Sequence, residues 1–136
     1  MSGLYDSARE SFLLGDLEWD AFDTRVILMD DADHTTNLAT DDFLDDIAAG
    51  ARVAVSGAMS GKTTTDGTAD ASDDSPTFSA VSGDVSEELV IYYHTGVDGT
   101  SSLIVNIDSA TGLPVTPNGG DITVQWDNGA DKIFTL

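Results

Sequence analysis

The chain is expected to fold as a mainly β domain, a single antiparallel β-sandwich or barrel with a short N-terminal helix and one further short helix. Three observations lead there. Short runs rich in β-branched and aromatic residues recur along the 136 residues, separated by Gly, Pro, Asn and Asp clusters, which is the spacing of a sandwich or barrel and not of alternating βαβ units. One run is apolar on both sides: Leu89, Ile91 and Tyr93 fall on one face of a strand, and Val90, Tyr92 and His94 on the other, as suits a strand covered above and below. Helical spacing is confined to two short stretches.

The first of these opens the chain. Leu4, Tyr5, Ala8 and Phe12, with Leu13 and Leu14 one turn on, recur at spacings of three and four, with Ser2 as N-cap and Gly15 as the stop. Such a short helix is unstable alone and must pack on its own sheet or on a neighbour. Arg25, Val26, Ile27, Leu28 and Met29 read as the first strand. The second helical stretch follows Thr40 as N-cap, with acids in its first turn and Phe43, Leu44 and Ile47 on one face. Residues 52–56 read as a strand with Val53 and Val55 inward. Residues 62–75 read as a two-stranded excursion turning at Asp66 and Gly67. Residues 77–81 form an alternating strand leading into the hairpin of residues 86–108, where Gly96 and Gly99 bracket Val97 and Asp98. Residues 109–120 are a loop carrying Gly112, Pro114, Pro117, Gly119 and Gly120. Ile122, Val124 and Trp126 then alternate with polar residues, and a last strand, residues 132–136, ties the carboxy terminus into the sheet. The domain divides into an N-terminal helical arm, residues 1–15, and the β-structure of residues 16–136.

Charge limits the partners. The chain carries 25 acidic residues against five basic ones, a net charge of −20. Such a field repels DNA, RNA and anionic lipid and offers no basic patch from which counterions are released. Nucleic acid and membrane are therefore not expected as partners, and no apolar run approaches the roughly 18 to 20 residues that span a bilayer. The acids are dispersed and 40% of residues are apolar, so the chain folds. Two explanations suit the charge: a surface adapted to saline surroundings, where repulsion is screened beyond about 10 Å, or docking onto a basic partner. There is no cysteine, which removes disulfides and thiolate metal sites.

No motif announces chemistry. Gly57 to Gly61, followed by Lys62 and Thr63, resembles a phosphate loop but has three residues between its glycines, where a P-loop needs four. A turn is expected there. Asp30, Asp31, Asp33 and His34 offer hard ligands, yet the EF-hand pattern is absent and an exposed loop is the expected reading. Asp41, Asp42, Asp45 and Asp46 suit a solvated helix face. His34 and His94 have no nucleophilic serine in an elbow and no cysteine to activate, and Glu87 and Glu88, adjacent on a strand, point opposite ways. No catalytic residue, cofactor or metal is assigned, and an enzyme is not expected. Trp19, among acidic turn residues, is the aromatic expected to meet a partner.

Several phrases carry a family likeness. They are Tyr5-Asp-Ser-Ala-Arg-Glu-Ser-Phe-Leu-Leu-Gly-Asp16 with Trp19 and Asp20; Val26-Ile-Leu28; Asn37-Leu-Ala-Thr40; and Phe43-Leu-Asp-Asp-Ile47. The second half adds Phe78-Ser-Ala-Val-Ser-Gly83, Leu89-Val-Ile-Tyr92, Gly112-Leu-Pro-Val-Thr-Pro-Asn-Gly-Gly-Asp121, Trp126-Asp-Asn-Gly129 and Lys132-Ile-Phe134. Together they resemble a family of small virion structural proteins of tailed bacteriophages. The resemblance implies a non-enzymatic particle component, made in the host cytoplasm and carried in the virion. First choice is a capsid decoration (cement) protein bound to the major capsid protein or other virion proteins as a homo-oligomer, trimer or dimer. A tail or head–tail junction component, or a carbohydrate- or receptor-binding sandwich, is the alternative. The family supplies no catalytic residues; this chain is more acidic than the family pattern, which fits a marine or hypersaline host, and it carries an additional segment at residues 72–76 to which the resemblance assigns no role. The expected partner interface is the amphipathic arm, through Leu4, Tyr5, Phe12 and Leu13, together with Trp19.

Overall fold

The computed structural model describes residues 3–73, 75–130 and 132–136. In chain order they form β1 (Gly3–Leu4), α1 (Asp6–Leu14), β2 (Thr24–Met29), β3 (Arg52–Val55), β4 (Thr63–Thr65), β5 (Thr68–Asp70), β6 (Thr77–Phe78), β7 (Glu88–Tyr93), β8 (Leu103–Ile107), β9 (Ile122–Thr123) and β10 (Phe134–Thr135). Single 3-10 turns occur at Leu44–Asp46, Ala49–Ala51 and Asp98–Thr100. The chain is mainly β, as expected, and its sheets are antiparallel. They are open: a five-stranded sheet in the order β1-β8-β7-β2-β3, a three-stranded sheet β10-β5-β4 and a two-stranded sheet β6-β9. Among the described residues no barrel closes.

The five-stranded sheet is built on β7, which pairs along its length with β2 and β8. Register decides what each face carries. Leu28, Leu89 and Ile107 lie side by side, as do Val26, Ile91, Val105 and Leu4, so these residues make one apolar face. Ile27, Val90 and Asn106 align on the other face, where Met29 pairs with Glu88. Val26, Ile27, Val90 and Ile91 are fully buried. Both faces are therefore covered, as the run of apolar residues in β7 requires. The apolar face, the C-terminal strands and Trp126 line a common groove. On the opposite face the segment 34–51 closes over the sheet, Thr36 reaching Glu88 and Asn106 and Leu44 and Ile47 adding buried side chains.

Local chemistry fixes the element ends. Gly15 stops α1 in the left-handed region (φ 81°) with its N–H on the Phe12 carbonyl, a conformation that costs glycine nothing. The N-cap position is Tyr5, with Asp6 in the first turn; Ser2, the expected cap, lies outside the described residues. Asp66 and Gly67 both take positive φ (52° and 80°), which is the type I′ geometry that a two-residue hairpin between β4 and β5 demands. The second helical stretch reduces to 3-10 turns. Here Asp46 Oδ2 accepts from the N–H groups of Asp42 and Phe43, and these bonds tighten the turn before an α-helix is established. The β7–β8 connection is wider than a tight hairpin and contains the turn Asp98–Thr100. Val55 faces outward at 47% exposure on the edge strand β3, contrary to the inward position expected of it.

The segment around residue 72 is fastened to the core. Trp126 Nε1 donates to the Ser75 carbonyl at 2.6 Å and Trp19 Nε1 to the Asp70 carbonyl at 2.9 Å, while Ser60 N–H donates to Ser75 Oγ at 2.8 Å. Two indoles thus supply both apolar bulk and the donors that a buried crossing segment needs.

The arm is part of the core as well. β1 extends the main sheet beside β8, Tyr5 N–H donates to the Ile104 carbonyl, and Tyr5 and Ala8 have no exposed surface. Removing residues 1–15 exposes β8 and forfeits on the order of 5 kcal/mol of apolar burial, comparable to the whole stability of a domain. The truncated chain is expected to lose its cooperative thermal transition by circular dichroism; a sharp transition within a few degrees of the full chain would contradict this placement.

Candidate functional site

The described residues leave three features on which a function can be built. They are an exposed apolar patch at the end of α1, a groove between the two layers, and a set of converging acids.

The patch arises because α1 has more apolar residues than its buried stripe uses. Ala8 is buried and Phe12 is half-buried, with its ring 6.0 Å from that of Phe134. Leu13 and Leu14, on the outer side of the last turn, are 84% and 68% exposed, and Leu136 is 55% exposed. A small apolar hollow of about 130 Å³ is lined by Phe12, Trp19, Ala69, Phe134 and Leu136. Trp19 meets Phe134 edge-on at 5.3 Å. Exposed Glu10, Asp16 and Glu18 belong to the same stretch of chain. Of the five residues expected at a partner interface, Leu13 is presented to solvent and Phe12 partly so. Leu4, Tyr5 and Trp19 are buried at 8%, 0% and 4% exposure, since β-pairing of Gly3 and Leu4 turns the arm inward and the Trp19 indole is needed against Asp70. Leu14, next to Leu13 in the same helical spacing, has an outward position that only the rotation of α1 on the sheet decides.

The groove has a volume of about 1110 Å³. Its floor is the apolar face of the main sheet, Leu28, Leu89, Val105 and Ile107, and its walls include β9, β10 and the loop after β8.

The acids gather around Asp30 at the end of β2. Carboxylate oxygens of Asp30, Asp31 and Glu87 lie within 4.8 Å of one another, as do those of Asp30, Asp33 and Asp84. Asp30 is buried, while Asp31, Asp33 and Asp84 are exposed; the expected exposed loop therefore has one buried member, whose Oδ1 accepts from the Ala32 N–H at 2.9 Å. Glu87 Oε2 accepts from the Asp31 N–H and Glu88 Oε2 from Asn106 Nδ2 at 3.1 Å, so these neighbours do diverge.

The remaining polar groups have structural employment. Asp41, expected on a solvated face, is 8% exposed and accepts from His34 Nε2 at 3.0 Å and Asn37 N–H at 2.9 Å. Burial, reinforced by the Asp41 carboxylate, pushes the Tyr5 phenol well above its ordinary range. Lys62 Nζ donates to the Phe22 carbonyl, and its partial burial lowers its pKa; a strand, β4, follows it instead of the helix a phosphate loop requires. His94 stands edge-on to Tyr92 with ring centroids 6.0 Å apart. Hydrogen bonding to Arg25, through both guanidinium nitrogens at 3.1 and 3.0 Å, holds Asp23 below the usual carboxylate range.

Backbone donation from Asp42 and Phe43 likewise lowers the Asp46 pKa. A depressed carboxylate adds stability above its unfolded pKa, near 3.9, and loses it as pH falls through the folded value. Asp46→Asn is therefore expected to melt below the wild type at pH 7, with the difference closing as pH falls below the ordinary carboxylate range; a difference independent of pH would show that the charge is not what caps this turn.

No helix among the described residues is long and apolar enough to cross a membrane. No protein-family model and no curated protein matches the chain.

Proposed function

We propose that this chain is a non-enzymatic building block of a tailed-phage particle, most simply a decoration protein that adheres to the outside of the capsid lattice. The observation that carries the reading is the exposure of Leu13 and Leu14, adjacent at the end of α1, on a strongly acidic domain. A folded, highly charged surface gains nothing from presenting two leucines on one helical turn unless they are covered by something else. The resemblance of the chain's turns and strands to small virion proteins supplies the setting.

Burying Leu13 and Leu14 gives roughly 1.5–3 kcal/mol each before association costs. That is weak for one copy and sufficient for many copies on a repeating lattice. The partner surface is an apolar hollow with basic residues around it, which meets the leucines and the acids together. Copies at −20 repel one another, so a dimer or trimer forms on the particle, where the lattice brings copies together. Trp19 does not support the glycan-binding alternative, because its ring is buried and its N–H is taken by Asp70.

Two outcomes test this. The wild-type chain is expected to co-sediment with empty phage heads, and Leu13→Asp with Leu14→Asp to lose at least about tenfold in affinity, equivalent to ~1.4 kcal/mol, with an unchanged melting temperature. Equal binding by the double variant, or binding to isolated tails and not heads, would overturn the decoration role. The saline reading of the charge predicts a melting temperature that rises between about 0.05 and 1 M NaCl as repulsion is screened. A flat or falling curve would contradict it.

A further inference from the structure

We propose that the Asn128–Gly129 peptide is a self-modification site, at which the folded chain converts its own asparagine to aspartate and isoaspartate. The other Asn–Gly pair of the sequence, Asn118–Gly119, is held back by the fold. The site needs no partner and is independent of the particle role.

The chemistry is that of an asparagine followed by glycine. The Gly129 nitrogen loses its proton and attacks Asn128 Cγ; an N–Cγ bond forms, the Cγ–Nδ2 bond breaks, and Nδ2 leaves as ammonia with that proton. Water then opens the cyclic imide at either carbonyl, giving aspartate or isoaspartate. Glycine permits the attack because no side chain shields its nitrogen and its backbone turns freely. Both asparagines and both glycines are exposed, so water reaches either pair.

Hydrogen bonding separates the two pairs. Gly119 N–H donates to the Val81 carbonyl at 2.7 Å, and Val81 N–H to the Gly120 carbonyl at 2.9 Å. Asn118 Oδ1 is held as well, accepting from Gly120 N–H at 2.9 Å. The backbone around Gly119 turns toward Cγ only after these bonds open. By contrast, residues 125–130 make no backbone–backbone hydrogen bond to another described residue. Instead the peptide joining Asn128 to Gly129 is polarised at both ends. Gly129 N–H donates to Asp127 Oδ1 at 3.0 Å, and Lys132 Nζ stands 3.5 Å from the Asn128 carbonyl oxygen. A cation at that oxygen stabilises the negative charge that deprotonation spreads onto it, and the carboxylate is placed to receive the proton. Lys132 also stands 3.6 Å from Asp70, so its field is shared between the two. The leaving group has a neighbour of its own: Asn128 Nδ2 donates to Asp73 Oδ2 at 3.3 Å. A carboxylate in its place turns this contact from attraction to repulsion and adds one negative charge to a chain already at −20.

The test incubates the full chain in mildly alkaline buffer and follows both asparagines by mass spectrometry of peptic fragments, with isoaspartate methyltransferase reporting the isomer. In the folded chain Asn128 is expected to convert roughly tenfold or more faster than Asn118, whose backbone bonds must first open. In urea, where neither pair is held, the two rates should converge. Lys132→Met should slow Asn128 roughly threefold or more and leave Asn118 unchanged, and Asp127→Ser should slow Asn128 as well. Equal rates at the two sites in the folded chain, faster conversion at Asn118, a difference that persists undiminished in urea, or an unchanged Asn128 rate in both variants would each overturn the proposal. If Lys132→Met speeds both sites it has loosened the fold, and Asp127→Ser then decides: slower conversion at Asn128 upholds the site, and an unchanged rate removes it.

Discussion

The structure depends on the burial of β7 from both sides. Val90 and Ile91 have no exposed surface and point to opposite faces, so one covering layer is not enough. The chain meets the requirement unequally. On one face a single loop segment closes the sheet, fixed by polar bonds from Thr36 to Glu88 and from Asn106 to both. On the other face the cover is assembled from short pieces, β9, β10 and the tryptophan-anchored segment before β6, and these pieces leave a groove over the outer part of the floor.

Scarcity of positive charge shapes the rest. All five cations are engaged within the chain, and two of them, Arg52 and Lys62, serve backbone carbonyls. Arg52 donates to the carbonyls of Leu44 and Ile47 and pairs with Asp98 at 2.9 Å, so it holds the 3-10 turn against the β7–β8 connection; Lys62 closes the Phe22 carbonyl, whose ring stacks on Tyr93 at 4.6 Å. With cations committed this way, most acids among the described residues are exposed. Copies carrying such a surface repel one another at low ionic strength.

Much of the fold was legible because it is written in strong local signals. The two-faced run of β7, the Asp66–Gly67 turn and the Gly15 stop each state a conformation that few alternatives match. Edge positions were harder to read. β1 is two residues long and carries no strand pattern; it exists because β8 needs a neighbour, which is a tertiary demand invisible in residues 3 and 4. The same demand buried Leu4 and Tyr5, and with them part of the expected interface. Trp19 was misplaced for a related reason: an acidic neighbourhood suggested exposure, but its partner, the Asp70 carbonyl, is 51 residues away. Asp41 and Asp30 were read as solvated because composition makes acids common here, whereas loop closure buried them. The groove had no sequence signal, since it comes from what the second layer lacks.

The central claim is that the sheet built on β7 is sealed on both faces, while β9 and β10 stand at the ends of small separate sheets. Native-state hydrogen exchange measures that difference directly. The account predicts that the amides of Val90, Ile91 and Tyr92 exchange only through global unfolding, while those of Ile122, Thr123, Phe134 and Thr135 exchange through local opening at much lower free energy. Equal protection of the two sets would mean that the small sheets open only together with the β7 core, and the account would be wrong.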